Sequence, residues 1–139
     1  MTSIEDRNKA LVTRFNKEFI EGGDADVFTE TMSSNFVNHN AQQGTSPGPD
    51  GAAHFFNEIL RTAFPDLTVT IHDQIAEGDK VVTRKSYEAT HRGPFLGVAP
   101  TGRKVTFGVI DIIKLKDGKY VEHWVNADML GLLGQLNSR

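Results

Sequence analysis

The fold is decided by Lys104-Val-Thr-Phe-Gly-Val-Ile-Asp-Ile-Ile-Lys-Leu-Lys116, followed at once by Asp117-Gly118 and then by Lys119-Tyr-Val-Glu-His-Trp-Val-Asn-Ala127. In the first segment Phe107, Val109, Asp111, Ile113 and Leu115 share one register of a period-two pattern, the mark of a strand with one buried face. Asp-Gly is the dipeptide favoured in a two-residue hairpin turn, whose central residues take positive φ. The second segment therefore returns antiparallel to the first. Asp111 interrupts an apolar row, which is costly unless the carboxylate meets a partner or faces a wet cavity.

Upstream, Leu67, Val69 and Ile71 alternate with Thr68, Thr70 and His72, and a turn at Glu77-Gly78-Asp79 leads into a strand over Val81–His91. Its two faces are Val82, Arg84, Ser86, Glu88 and Val81, Thr83, Lys85, Tyr87, neither purely apolar. Arg92–Gly102, rich in glycine and proline, is a loop. These readings make a meander of four strands.

The first half of the chain is helical. Ile4, Leu11, Phe15 and Phe19 recur at helical spacing over Ser3–Glu21, Gly22 and Gly23 supply a stop, and Asp24 caps a second short helix to Met32. Asn35–Asn40 is a short extended piece, and Gln43–Pro49 is a Gly/Pro/Ser-rich loop and a candidate lid. Asp50 starts a third helix with Phe55, Phe56, Ile59, Leu60 and Ala63 on one face, ended by Pro65. After the last strand comes a Leu-rich tail, Met129–Leu136. Helices first and consecutive antiparallel strands afterwards predict an α+β fold, a cone-shaped curved antiparallel sheet wrapped around N-terminal helices with a cavity on its concave side.

Composition bounds the function. At 139 residues the chain fits one domain spanning 1–139, and 38% hydrophobic with 24% charged residues is enough for a core and a wet surface. A net charge of -3 lacks the basic excess of a nucleic-acid binder. No apolar run is long enough to span a membrane, and the N-terminus lacks a secretory layout, so a cytoplasmic protein is expected. With no cysteine, thiolate and disulfide chemistry are excluded, and reactions fall to carboxylates, His, Tyr, amides or Arg.

Ala63-Phe-Pro-Asp-Leu67, Thr90-His91, Pro100-Thr-Gly102, Asp117-Gly-Lys-Tyr-Val-Glu-His-Trp124, Asp128 and Gly131-Leu-Leu-Gly-Gln-Leu136 together resemble the SnoaL-like polyketide cyclases, also called ester cyclases, of the nuclear-transport-factor-2-like superfamily. The resemblance covers nearly the whole chain. It implies ring closure by intramolecular aldol condensation, classed as isomerase or lyase chemistry, with an aspartate near the end of the last strand as acid and base. By position that residue is Asp128. Such a reaction needs a base in a dry pocket and help for the developing enolate, but no metal or cofactor. The resemblance also implies a polyketide-like small-molecule ligand and, through the exposed sheet face, a homodimer.

Asp128 beside Trp124 and the apolar tail is expected to have its pKa raised by desolvation, unless it serves as an N-cap for the tail, where hydrogen bonds from backbone N–H groups lower it. Asp111, Arg84 and His39 are the assisting candidates. Trp124, Phe55, Phe56, His91, Phe107 and Val109 are the candidate substrate-binding residues. Of the neighbours His123 and Trp124, only one points inward under strict alternation, and Trp124 is the inward choice. His54 and His72 are expected at the surface. Two other functions stay open: a non-catalytic small-ligand-binding or dimerisation module, and epoxide-hydrolase-like water activation by an Asp111, Arg84, Asp128 group, provided that the three converge.

Overall fold

The computed structural model of the chain describes residues 3–138. Helix α1 (Ile4–Arg14) begins where the Ser3 side chain accepts a hydrogen bond from the Asp6 N–H at 3.0 Å, and it continues as a wider π-helical stretch over Phe15–Glu21. Gly23 ends it at φ 73°, a conformation that glycine adopts without strain, with its N–H bonded to the Phe19 carbonyl. Asp24 caps α2 (Ala25–Thr31) through the N–H groups of Asp26 and Val27. Strand β1 (Met32–Asn38) follows. Next come α3 (Pro49–His54), a second π-helical stretch (Phe55–Leu60) and α4 (Arg61–Ala63).

Strands β2 (Thr68–Glu77), β3 (Lys80–Thr90), β4 (Lys104–Lys116) and β5 (Lys119–Ala127) form the expected antiparallel meander, and α5 (Met129–Asn137) closes the chain. The hairpin between β4 and β5 turns through Asp117 and Gly118 at φ 53° and 74°, as its sequence requires. The sheet order is β1-β5-β4-β3-β2, and the sheet is not closed. One pairing adds to the expectation: β1 lies parallel to β5, so the sheet is mixed rather than wholly antiparallel.

One face of the sheet is covered. Helix α1 packs across β2 and β3, and α5 packs on β4. Val105, Phe107, Val109, Asp111, Ile113 and Leu115 all face inward and are buried, in the register the alternation gives. Phe15, Phe19, Phe28, Phe56 and Tyr120 form an aromatic cluster at one end, with Phe15 and Tyr120 centroids 4.4 Å apart. Phe64, Tyr87, Phe95 and Phe107 form a second at the other end. Two charged side chains of the inner face, met by an amide from the helical side, lie between them.

Candidate active site

Thr83 stands opposite Asp111 on the β3–β4 ladder, and Lys85 opposite Val109, so Lys85 and Asp111 are diagonal neighbours on the inner face. The Lys85 stem carries its ammonium to 3.1 Å from Asp111 Oδ2, with the two side chains 2% and 7% exposed. From the helical side, Asn16 Oδ1 accepts a hydrogen bond from Lys85 Nζ at 2.6 Å, while Asn16 Nδ2 donates to the Val12 carbonyl at 2.9 Å. Asn16 lies in the π-helical stretch, a helix variant found often at functional sites. His123 Nε2 is 3.8 Å from the same Asp111 oxygen, and its ring stacks on Phe36. The other oxygen, Asp111 Oδ1, is buried with no hydrogen-bond partner among the described residues.

Burial pushes the Asp111 carboxyl upward, but the Lys85 charge and His123 outweigh it and hold the group below its ordinary value. Burial pushes Lys85 downward, and the charge of Asp111, with Tyr87, outweighs that and holds the ammonium above its ordinary value. Both partners are thus ionised at neutral pH. Burial raises the Tyr87 phenol, and raises Tyr120 well above its ordinary value with the Asp111 charge adding to it, so both phenols stay neutral. The cluster holds an ionised carboxylate with a free acceptor oxygen next to a fixed cation, in a dry setting where electrostatic interactions are strong.

The inner face is less deeply covered along β5. Strand β1 pairs with it only as far as Asn38 opposite His123, and beyond that the Val125 N–H donates to the Asn40 side chain at 2.7 Å. The inner-face residues His123, Val125 and Ala127 are accordingly only partly buried, whereas Thr83, Lys85, Val109 and Asp111 are buried. The loop proposed as a lid folds against this edge, where the Asn38 N–H donates to the Pro47 carbonyl.

Several expected site residues lie elsewhere. Trp124 faces outward and His123 inward, because a bulge at Val121 sets Leu115 opposite Tyr120 but Lys114 opposite Glu122 and so reverses the parity of β5. The indole is half-buried on the outer face, with the His39 ring flat against it at 4.7 Å. His39 Nε2 meets Glu122 Oε1 at 2.9 Å, on that side as well. Arg84 also faces outward, opposite Ile110, and forms an exposed ion pair with Asp73 at 2.6 Å. Asp128 is exposed and caps α5, accepting the Gly131 N–H at 2.8 Å; a dry pocket around it is not what the structure has. Asp111, Arg84 and Asp128 therefore do not converge. Arg84 and Asp128 instead line a groove of about 420 Å³ on the outer face with His72, Ser86, Gly108 and Ile110.

Among the substrate-binding candidates, Phe107 and Val109 are on the inner face, Phe56 packs on Phe15 and Phe19, and Phe55 is exposed. His91 is fully buried beside Phe64. Its Nδ1 accepts the Thr101 N–H at 3.1 Å and pins the loop over Arg92–Gly102. Lys85 and Asn16 are the residues that sequence reasoning missed, and His123 is the one it weighed and set aside for Trp124. Lys85 shares its parity with Thr83 and Tyr87, but only the register of β3 on β4 puts that face with Asp111. Among the described residues no group of three or more His, Asp or Glu side chains is arranged to hold a metal ion.

The SnoaL-like polyketide cyclase family model matches residues 10–136. A solved structure from Jannaschia sp. CCS1, assigned as a SnoaL-like polyketide cyclase, is 31% identical, covers 100% of this chain and 97% of its own, and superposes with a TM-score of 0.86. AclR from Streptomyces galilaeus, assigned as a hydroxylase, is 30% identical over 95% of this chain and 82% of its own, with a TM-score of 0.82. IdmH from Streptomyces antibioticus, assigned as a polyketide cyclase, is 28% identical over 94% and 99%, with a TM-score of 0.81. Among curated proteins none matches the sequence.

Proposed function

Because the chain belongs to the SnoaL-like polyketide cyclase family, we propose that it is a cofactor-free cyclase or isomerase of small polyketide-like carbonyl compounds, with Asp111 rather than Asp128 as its acid and base. The reading is carried by Asp111 Oδ1, a buried oxygen of an ionised carboxylate without a partner. A buried acceptor left open is costly in a purely structural role. In the reaction Asp111 takes the proton from a carbon flanked by carbonyls, and the C–H electron pair becomes the enolate. The enolate carbon then attacks a second carbonyl of the same molecule, and the resulting alkoxide takes the proton back from Asp111. Atoms and charge balance with no other reactant. His123, at the rim of the cluster, orients a substrate oxygen, and Val109 and Val125 supply apolar walls.

Deuterium uptake by pentane-2,4-dione in D2O, followed by NMR, tests this. The wild-type chain is expected to accelerate exchange over buffer, and Asp111→Asn to lose about 10²–10⁴-fold of that acceleration. Exchange at the wild-type rate in Asp111→Asn removes Asp111 as the base. No acceleration by a chain that still binds the dione favours a binding module.

We propose also that the protein works in the cytoplasm as a homodimer joined through the outer face of the sheet. Ile75, Ile110 and Leu130 are exposed there or at its rim, next to the half-buried Trp124, more apolar surface than a solvated face needs.

A further inference from the structure

We infer that the groove on the outer face is a second reactive site, in which Ser86 accepts the acyl group of small, uncharged, activated esters with His72 as its base. The inference goes beyond the chemistry of Asp111, which lies on the opposite face of the sheet. His72 Nε2 is 2.8 Å from Ser86 Oγ, so a hydroxyl nucleophile and a base stand within the reach that proton transfer needs. Both line the groove of about 420 Å³, which leaves room for a carbonyl beside the hydroxyl.

The backbone sets up this pairing. Ile71 stands opposite Lys85 and Asp73 opposite Arg84, so His72 is the extra residue of a bulge in β2. Bulges re-aim side chains and occur often beside active sites. This one turns two successive side chains to the outer face: His72 reaches Ser86, and Asp73 holds Arg84 through its Nε and Nη2. Arg84 lies two positions from Ser86 on that face, and its Nη1 is left as a donor for a developing oxyanion.

The room above Ser86 comes from Gly108, its partner on β4. Gly108 is not among the glycines at positive φ, and a Cβ added to it would meet nothing within 4 Å. Neither backbone conformation nor packing demands a glycine there. A glycine inside a strand also marks the close approach of a ligand, and this one forms the open floor of the groove.

The lining also sets the ester class. Asp128 stands across Gly108, whose carbonyl accepts the Asp128 N–H at 2.9 Å, and its carboxylate disfavours an anionic acyl group. Among the described residues His72 has no carboxylate partner, so the pair lacks the third member of a triad and suits esters with a good leaving group. Ser86 Oγ forms a bond to the ester carbon while its proton passes to His72 Nε2. The bond from carbon to the leaving oxygen breaks, and that oxygen takes the proton. Water then attacks the acyl carbon, gives a proton to His72, and releases the acid as Ser86 Oγ regains a proton.

The probe is 4-nitrophenyl acetate, added to the full chain. Wild type is expected to release 4-nitrophenolate in a stoichiometric burst and to carry the acetyl group on Ser86 in peptide mass mapping. Ser86→Ala is expected to lose the burst, and His72→Gln to slow it by about 10²-fold or more. Gly108→Val keeps both side chains but fills the groove, and is expected to lose the burst while far-UV circular dichroism stays unchanged. Two copies joined through the outer face would cover the groove, so the burst is measured from dilute to concentrated protein and is expected in full in the dilute chain. No burst in the dilute chain, a burst that survives in Ser86→Ala, or acetylation confined to lysines overturns the site. Equal rates in Gly108→Val and wild type would mark Ser86 as a merely exposed hydroxyl and overturn it as well.

Discussion

Lys85 and Asp111 form an ion pair 3.1 Å long across two strands with both side chains buried, and neither is compensated by any other full charge at that distance. Taking two charges out of water offsets most of their attraction, so the pair adds little net stability, while breaking it strands a buried charge. Asp111→Ala and Lys85→Ala are each expected to lower the unfolding free energy by about 3–5 kcal/mol. Lys85→Met/Asp111→Leu is expected to recover most of that. Denaturant unfolding of the three variants checks it, and a double variant as unstable as the singles would show that the pair is worth more than its desolvation.

The same pair bounds the pH range of stability. The folded pKa of Asp111 lies below its ordinary value of about 3.9, so its contribution is present above that pH and lost as pH falls through the folded value. The folded pKa of Lys85 lies above its ordinary value of about 10.4, so its contribution is present below that pH and lost as pH rises through the folded value. Thermal unfolding from acid to alkaline pH is expected to fall off at both ends. Lys85→Met/Asp111→Leu is expected to have a flatter profile, the acid limb retaining what Glu21 and Asp66 contribute, since both are also held below their ordinary values.

Asp128 supplies an oxygen to the first turn of α5, and that role does not need a charge. Asp128→Asn is expected to unfold within about 0.5 kcal/mol of wild type, and Asp128→Ala to lose about 1 kcal/mol. Both are expected to exchange dione protons at the wild-type rate. A loss of exchange in Asp128→Asn with stability unchanged would return the base to Asp128.

Ile110, 48% exposed beside the outer groove, tests the association of two copies. Ile110→Lys is expected to convert the dimer to monomer in sedimentation velocity while far-UV circular dichroism stays unchanged. A wild-type chain that sediments as a monomer at all concentrations refutes the association.

The meander was legible because β2, β3, β4 and β5 each carry a period-two pattern or a turn dipeptide that admits one reading. Strand β1 was only half legible: Met32 and Phe36 are its buried residues, and its partners lie 85 to 88 residues away, so no local pattern announces it. The site was legible at Asp111, whose charge stands out in an apolar row. It was not legible at Lys85, because both faces of β3 carry a cation and only the register with β4 decides between Arg84 and Lys85. His123 and Trp124 exchanged sides through one extra residue in β5, and a one-residue shift turns every following side chain to the other face. For Asp128 both readings, cap and base, fitted the sequence; the exposure of the carboxylate, a tertiary property, separates them.

The parallel pairing of β1 with β5 has a consequence for how the chain reaches its native state. Residues 32–38 emerge from the ribosome long before 119–127, so β1 has no sheet neighbour until β5 has been made. Closing so long a loop carries an entropic cost before the pairing offsets it, and such non-local contacts form slowly. The helices and the β2–β4 hairpins rest on contacts nearer in sequence, so the edge around His39 and Asn40 is expected to settle after them. A nascent chain stalled before β5 would expose an unpaired strand edge together with the charged pair of β3 and β4, which makes the appearance of β5 the step on which solubility during synthesis depends.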